Sequence, residues 1–172
     1  HYLVKKVVFE VEMLPVIKLI SCFMVHVCFL VIMIGLYLIS GYMPMITWLQ
    51  ILYYSFAASM LGLALTFFTS AVQVFFKDMA QIVGICLQFG MWLTPIMYDE
   101  KIFTDRAPWL GTVFKLNPFY YIAAGYRDSM MMGNWFFERP TMTLYFWAVT
   151  LILMLIGLKM FKKLRPHFSD VL

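Results

Sequence analysis

The residue types that most often carry catalysis or hold metals are scattered in this sequence. Its histidines, His1, His26 and His167, lie far apart, and none has a cysteine or carboxylate partner at metal-ligand spacing. No glycine is followed by lysine, so the phosphate-binding P-loop is absent. We therefore expect no catalytic residues, no metal site and no cofactor bound by this chain. His26 stands alone in an apolar run, which predicts a hydrogen-bonded helix contact, with a ligand site as the alternative.

Three clustered acids, Asp99, Glu100 and Asp105, are the other candidates for chemistry. A membrane-embedded glycosyl- or acyltransferase would need such a carboxylate beside a positioned partner. Here Lys101 and Arg106 stand next to the acids, which favours a solvated charged loop. A transferase stays open only as a third alternative.

Aromatic side chains are dense between residues 89 and 137. An aromatic belt at the membrane surface is one explanation. The other is a surface for sliding contact with sugar rings, because flat rings bind C–H faces without fixing a register. Arg127 and Asp128 follow this run, and we expect them to pair with each other; attraction of an anionic group is the alternative.

The backbone that must position these residues is interrupted. A helix arriving from residue 79 meets Pro95, which lacks an N–H and disfavours helical geometry at Thr94. A helix over 79–94 is about 24 Å long, less than the roughly 30 Å core of a bilayer. Two shorter apolar pieces follow at 108–116 and 118–131; each begins with proline, and Asn117 is a good N-cap for the second. We predict two short re-entrant helices, which are tolerated at membrane depth only against protein or a wet cavity.

Composition places the chain among integral membrane proteins. Hydrophobic residues make up 63% of it and charged residues 13%, against roughly 45–50% and about 25% in soluble domains. No charged residue lies between Lys18 and Lys77. We predict an all-α fold with a single transmembrane domain over 1–172. Its parts are an amphipathic helix over 1–15, four spans over 16–40, 46–72, 79–97 and 141–161, an outer region over 98–140 and a tail over 162–172.

Two local patterns predict how the spans meet. The Gly-Tyr-Met-Pro cluster at 41–44 predicts a tight turn between antiparallel helices. On the second span, small residues at three- and four-residue spacing predict close approach of another helix; they are Ser55, Ala58, Gly62 and Thr66. The cysteines, all inside apolar segments, are expected to be small buried residues without a disulfide.

The basic residues predict the orientation. Alternate loops place eight positive charges on one side, and on the other side five positive charges are matched by five acids. The positive-inside rule makes the first side cytoplasmic, so both ends of the chain are expected inside and the region over 98–140 outside. The chain opens on His1 without methionine, so we expect that the natural N-terminus is missing.

Four segments carry a resemblance to a known family. They are KKVVFEVEMLP at 5–15, LTPIMY at 93–98, NPFYYIAAGYRDSM at 117–130 and FKKLRPHFSDVL at 161–172. Together they resemble the ABC-2 type permease of bacterial polysaccharide exporters, which move lipid-linked O-antigen, teichoic acid or capsular polymer. The chain corresponds to the part of that permease after its second span.

The resemblance implies a transport subunit in the bacterial plasma membrane and no enzyme. It implies a permease homodimer, surrounded by membrane lipids, with a separate ABC ATPase that holds ATP and Mg²⁺, and a lipid-linked glycan as substrate; no nucleic acid is expected. The coupling helix that contacts the ATPase would carry Lys5, Lys6, Val8, Phe9 and Glu12. The resemblance also implies the channel or gate residues, which would be Phe89, Trp92, Tyr98, Asn117, Phe119, Tyr120, Tyr121, Tyr126 and Arg127. A small-molecule or drug export permease of the same superfamily is the main alternative, and it would need a compact apolar pocket.

Overall fold

The computed structural model describes residues 2–73, 76, 78–96, 98 and 101–164, although the side chains of residues 2–12, 14, 15 and 164 lie outside the described part. The described residues form helices and no strand. Helix α1 covers Tyr2–Ile39, so the chain continues as one helix through the boundary that the sequence predicted at residue 15. Pro15 removes one backbone hydrogen bond, but the apolar residues after it continue the helix. The apolar window of the span Val16–Ile39 has no buried residue.

The predicted tight turn after α1 is confirmed. The Tyr42 N–H donates to the Tyr37 carbonyl at 3.1 Å, and Gly41 has a φ of +85°, a left-handed conformation that favours glycine. A 3₁₀ turn over Ile46–Leu49 leads into helix α2, Gln50–Gln73, which runs back along the bundle. The second predicted span is therefore present as a helix.

Helix α7, Pro140–Leu164, packs on α2 and forms the core of the bundle. At Gly157 an added Cβ would lie 2.9 Å from the backbone nitrogen of Phe68, so the two helices meet almost backbone to backbone. Ala57 and Ala64 are fully buried in α2. The small-residue stripe predicted from the sequence faces α1 at Gly62, where a side-chain atom of Leu19 lies 3.6 Å from an added Cβ, so another helix does pack there. The sequence pattern did not single out the closer contact of α2 with α7.

Helix α3, Met79–Leu93, ends at the predicted place, with Thr94 as its extended C-cap before Pro95. Its 15 residues rise about 22 Å. A single turn, α4, covers Lys101–Thr104 and is followed by α5, Pro108–Leu116, and α6, Pro118–Arg127. A π-helix over Asp128–Met132 and a 3₁₀ turn over Phe136–Glu138 lead to α7. The two short helices begin at the predicted prolines.

The all-helical membrane class is confirmed. Within the described residues, three helices are long and apolar enough to cross a bilayer: Val16–Ile39, Ile46–Gln73 and Pro140–Lys163. The fourth predicted span, 79–97, corresponds to the shorter α3, and its crossing stays a prediction. The cysteines were predicted to be buried, but Cys22, Cys28 and Cys86 are exposed and unpaired. Cys22 and Cys28 lie on α1, and Cys86 lies on α3, which has no buried residue.

Candidate functional site

A cavity of about 610 Å³ lies between α1, α2, the chain just after α3, and α6 with its π-helix. Apolar side chains make up most of its wall, including Phe29, Leu30 and Met33 of α1 and Met130 and Met131 of the π-helix. The polar or charged side chains that line it are His26, Tyr37, Thr94, Tyr126 and Arg127. This is the concave, mostly apolar kind of site, with few polar groups, that binds small molecules or lipids.

One phenol hydroxyl joins three helices at the wall of this cavity. Tyr126 Oη on α6 lies 3.0 Å from His26 Nε2 on α1 and 2.9 Å from Ser55 Oγ on α2. Ser55 Oγ also donates to the Ile51 carbonyl at 2.7 Å. The predicted helix contact of His26 is therefore confirmed, and its partner is one of the predicted gate residues. A buried polar group needs such a partner, because an unpaired one is costly.

Arg127 does not pair with Asp128 as the sequence suggested. Its guanidinium donates to the Pro95 carbonyl, and Asp128 instead forms an ion pair with Arg139 at 2.9 Å. The predicted pairing is wrong because neighbouring residues on a helix point about 100° apart and do not face each other. Arg127 therefore lines the cavity, while the carboxylate of Asp128 is held on another face.

Asn117 fastens the start of α6 to the end of α3. Its Oδ1 accepts from the Phe119 N–H at 3.1 Å, which confirms the predicted N-cap. Its Nδ2 donates to Thr94 Oγ1 at 2.9 Å, and Thr94 Oγ1 in turn donates to the Gly90 carbonyl at 2.8 Å. The break after α3 is thus covered by polar side chains rather than left with open backbone groups.

Two of the predicted gate tyrosines are buried in the core of this chain. Tyr120 and Tyr121 are each 6% exposed. Tyr121 Oη lies 3.1 Å from Tyr53 Oη and 3.0 Å from Thr143 Oγ1, and its ring stacks on Phe146 at a centroid distance of 4.7 Å. These contacts tie α6 to α2 and α7. Any role of the two tyrosines at a gate stays a prediction.

The remaining predicted aromatics lie nearer the surface. Phe89 and Trp92 of α3 are 73% and 69% exposed, whereas Phe119 lines the cavity. Tyr98 Oη donates to the Trp92 carbonyl at 2.7 Å. Burial raises the pKa of Tyr98 above its ordinary value near 10, so its hydroxyl stays a donor at neutral pH. The structure brings Asn117, Phe119, Tyr126 and Arg127 together and leaves Phe89 and Trp92 apart.

Several predictions lie outside the described residues. The side chains of the predicted coupling residues, Lys5, Lys6, Val8, Phe9 and Glu12, are among these, and so are the acids Asp99 and Glu100. The backbone of residues 2–15 is the first part of α1. The coupling role therefore stays a prediction.

The sequence analysis missed a second attachment of the region after α6. Gln50 Nε2 donates to the Asn134 carbonyl at 2.9 Å, and its Oε1 accepts from the Phe136 N–H at 2.7 Å. Nearby, Thr47 Oγ1 donates to the Ser129 carbonyl at 2.8 Å. The available signal was Gln50 itself, a polar residue in a long uncharged apolar run, where a polar side chain requires partners.

The fold and the cavity define an all-helical membrane protein whose third helix is broken and whose short helices close one side of a mostly apolar cavity. Residues 3–131 match the ABC-2 type transporter family, and the chain belongs to that family. This confirms the family that the sequence segments suggested.

The chain is similar to curated permeases over almost its whole length. It is 24% identical, over 99% of its residues, to a protein of Klebsiella pneumoniae named O-antigen export system permease protein RfbA. It is 26% identical, over 98% of its residues, to a protein of the same name from Myxococcus xanthus. The chain spans 64% of the length of these relatives. No solved structure matches it.

Proposed function

We propose that this chain is part of the membrane permease of an ATP-driven exporter that moves lipid-linked polysaccharide of the O-antigen, teichoic acid or capsule type across the bacterial plasma membrane. The observation that carries the proposal is the alignment with O-antigen export permeases over 98–99% of the chain. It includes the part after residue 131, which the family match does not cover.

We propose that the energy for transport comes from ATP hydrolysis by a partner protein. The chain has no glycine followed by lysine, so it lacks the P-loop that holds nucleotide phosphates. In our proposal ATP and Mg²⁺ bind to a separate ABC ATPase, and two permease copies form the transport unit. Both ends of the chain face the cytoplasm, and residues 5–12 contact the ATPase.

In our proposal, the cavity is part of the conduit. The cavity wall contains no carboxylate among the described residues. Side chains at both ends of α6 contact the broken end of α3, so the two elements form one side of the cavity. In the proposed cycle, ATP hydrolysis moves residues 5–12 at the start of α1. The rest of α1 passes this movement to α6, because His26 of α1 is hydrogen-bonded to Tyr126 of α6.

Export itself provides the main test. Cells that lack their own O-antigen permease would receive the full-length protein with its cognate ATPase, and surface polysaccharide would be measured by immunoblot. We expect export that disappears when the P-loop lysine of the ATPase is replaced. An assembled, ATP-hydrolysing complex that exports no polysaccharide would overturn the proposal.

A second candidate is a small-molecule export permease of the same superfamily. The cavity of about 610 Å³ favours it, because small-ligand pockets measure roughly 300–1,000 Å³. Efflux of dyes or drugs from the same cells, without surface polysaccharide, would support this candidate. A membrane-embedded transferase is distinguished by joint substitution of Asp99, Glu100 and Asp105 with the corresponding amides, which should abolish the activity of an enzyme and leave a transporter largely active.

The ATPase contact can be tested by assembly. We expect that replacing residues 5–14 with a neutral linker of equal length prevents copurification of the ATPase. The matched control replaces the charged segment 101–106 on the opposite predicted side, which should leave assembly intact. Equal recovery of the ATPase with both variants would contradict the coupling assignment.

A further inference from the structure

Arg127 is the charged side chain that sets the chemistry of the cavity. Among the described residues that line the cavity there is one arginine and no lysine, aspartate or glutamate. The nearest acid in sequence, Asp128, is already paired with Arg139. Within the described part of the cavity wall, the charge of Arg127 is therefore not balanced by a carboxylate.

The guanidinium has unused hydrogen-bonding capacity. It carries five N–H donors in a planar fork that fits phosphate oxygens. In the described chain, one terminal nitrogen of Arg127 donates to the Pro95 carbonyl. By contrast, the hydroxyls of Thr94 and Tyr126, which also line the cavity, already bond to protein groups. Arg127 is thus the group best able to bind an added anion.

The rest of the wall suits a long hydrocarbon chain. Phe29, Leu30 and Met33 form the α1 side, and Met130 and Met131 lie opposite. Methionine side chains are flexible and adapt to apolar ligands of irregular shape. Phe29 is also 67% exposed, so this wall continues onto the outer surface of the described helices. An apolar chain bound in the cavity can therefore extend along this surface.

We propose that this cavity binds the phosphate-bearing end of a long-chain lipid, with Arg127 holding the phosphate and the apolar wall holding the first part of the chain. Two sources share this chemistry: an anionic phospholipid of the bilayer, and the polyprenyl phosphate part of a lipid-linked glycan. Only the choice of the second source rests on the proposed export function.

Binding can be measured on the full-length protein in nanodiscs made of phosphatidylcholine, without ATPase and without transport. The probes are undecaprenyl phosphate, undecaprenol, which has the same chain without the phosphate, and phosphatidylglycerol. Affinities come from native mass spectrometry or from quenching of intrinsic fluorescence. Because export is not measured here, failure of this proposal and failure of the proposed function give different results.

Arg127→Gln removes the charge but retains an amide donor for the Pro95 carbonyl, and Arg127→Lys keeps the charge. Lys115→Gln is the matched control, because Lys115 is an exposed cation on α5 that does not line the cavity. We expect Arg127→Gln to weaken binding of undecaprenyl phosphate about tenfold, the usual scale for a hydrogen bond to a charged group. Arg127→Lys should bind undecaprenyl phosphate more tightly than Arg127→Gln does. Lys115→Gln should bind it as tightly as the unmodified protein.

Undecaprenol should bind equally to all variants, since it has no phosphate. Phosphatidylglycerol binding with the same dependence on Arg127 would support the site and assign it to bilayer lipid. Dependence restricted to undecaprenyl phosphate would support the site and assign it to the glycan carrier. The proposal is overturned if Arg127→Gln binds undecaprenyl phosphate as tightly as the unmodified protein, or if undecaprenol shows the same loss. Circular dichroism and thermal unfolding confirm that each variant is folded.

Discussion

Gly125 on α6 is the residue at which a single added methyl group should do most damage. An added Cβ would lie 2.0–2.6 Å from three ring atoms of Tyr54 on α2. Tyr54 is 4% exposed, and its ring centroid lies 5.6 Å from that of Tyr121 and 5.9 Å from that of Tyr126. A rigid ring enclosed by other rings has little room to move, so α6 itself must shift.

The size of the effect of Gly125→Ala follows from two opposing contributions. Overpacking of a buried site costs about 1–3 kcal/mol. Alanine in place of glycine inside a helix stabilises it by roughly 0.5–1 kcal/mol. A Cβ only 2.0 Å from a ring atom puts this site at the upper end of the overpacking range, so the net loss is about 2 kcal/mol. This lowers the melting temperature of a chain of this size by about 4–8 °C. The measurement is thermal unfolding of the purified protein in detergent, followed by tryptophan fluorescence.

Gly84→Ala on α3 is the matched control, because no atom lies within 4 Å of a Cβ added there. That variant should unfold at an unchanged or slightly higher temperature. Tyr54→Leu removes the outer ring atoms, so the double variant with Gly125→Ala should be more stable than the sum of the two single effects. If Gly125→Ala and Gly84→Ala behave alike, α6 does not pack on α2 as described.

Two further variants test other contacts by the same unfolding measurement. Tyr126→Phe removes the hydroxyl shared by His26 and Ser55 and should cost about 1–3 kcal/mol, since two hydrogen bonds are lost and a partner is left unpaired; an unchanged melting temperature would contradict this network. Gly157→Ala places a Cβ 2.9 Å from the Phe68 backbone nitrogen. It should lower the free energy of unfolding by about 1 kcal/mol or more, because backbone atoms move aside less easily than a side chain. An unchanged melting temperature would contradict the close approach of α2 and α7.

Local chemistry made part of this fold predictable. Pro95 ended α3 and Asn117 capped α6, because the missing N–H of proline and the side-chain oxygen of asparagine act on their immediate neighbours. The spans were predictable for a similar reason, since a long uncharged apolar run has few other stable states. The resemblance added the family, which the match over residues 3–131 then confirmed.

The candidate site was less predictable, because its contacts join residues far apart in the chain. The bond between His26 and Tyr126 joins residues 100 positions apart, and that between Gln50 and Phe136 joins residues 86 apart. Nothing in the sequence specifies which polar partner each will meet. The Arg127–Asp128 prediction failed for the same reason: adjacency in sequence was taken for proximity of side chains, while the helix turns them toward different partners.

The contacts at the broken end of α3 indicate which elements move together. Side chains from both ends of α6 contact its final turn and the residue after it: Asn117 bonds to Thr94, and Arg127 bonds to the Pro95 carbonyl. Helix α6 should therefore move together with the end of α3, whereas the hydrogen bond described between α6 and α1 is that of the Tyr126 hydroxyl. Among the hydrogen bonds of the described residues, separation of α6 from α1 thus breaks fewer than separation of α6 from α3. If the cavity widens in the proposed transport cycle, we expect it to do so along α1, which leaves Arg127 attached to α3 while the α1 wall moves away.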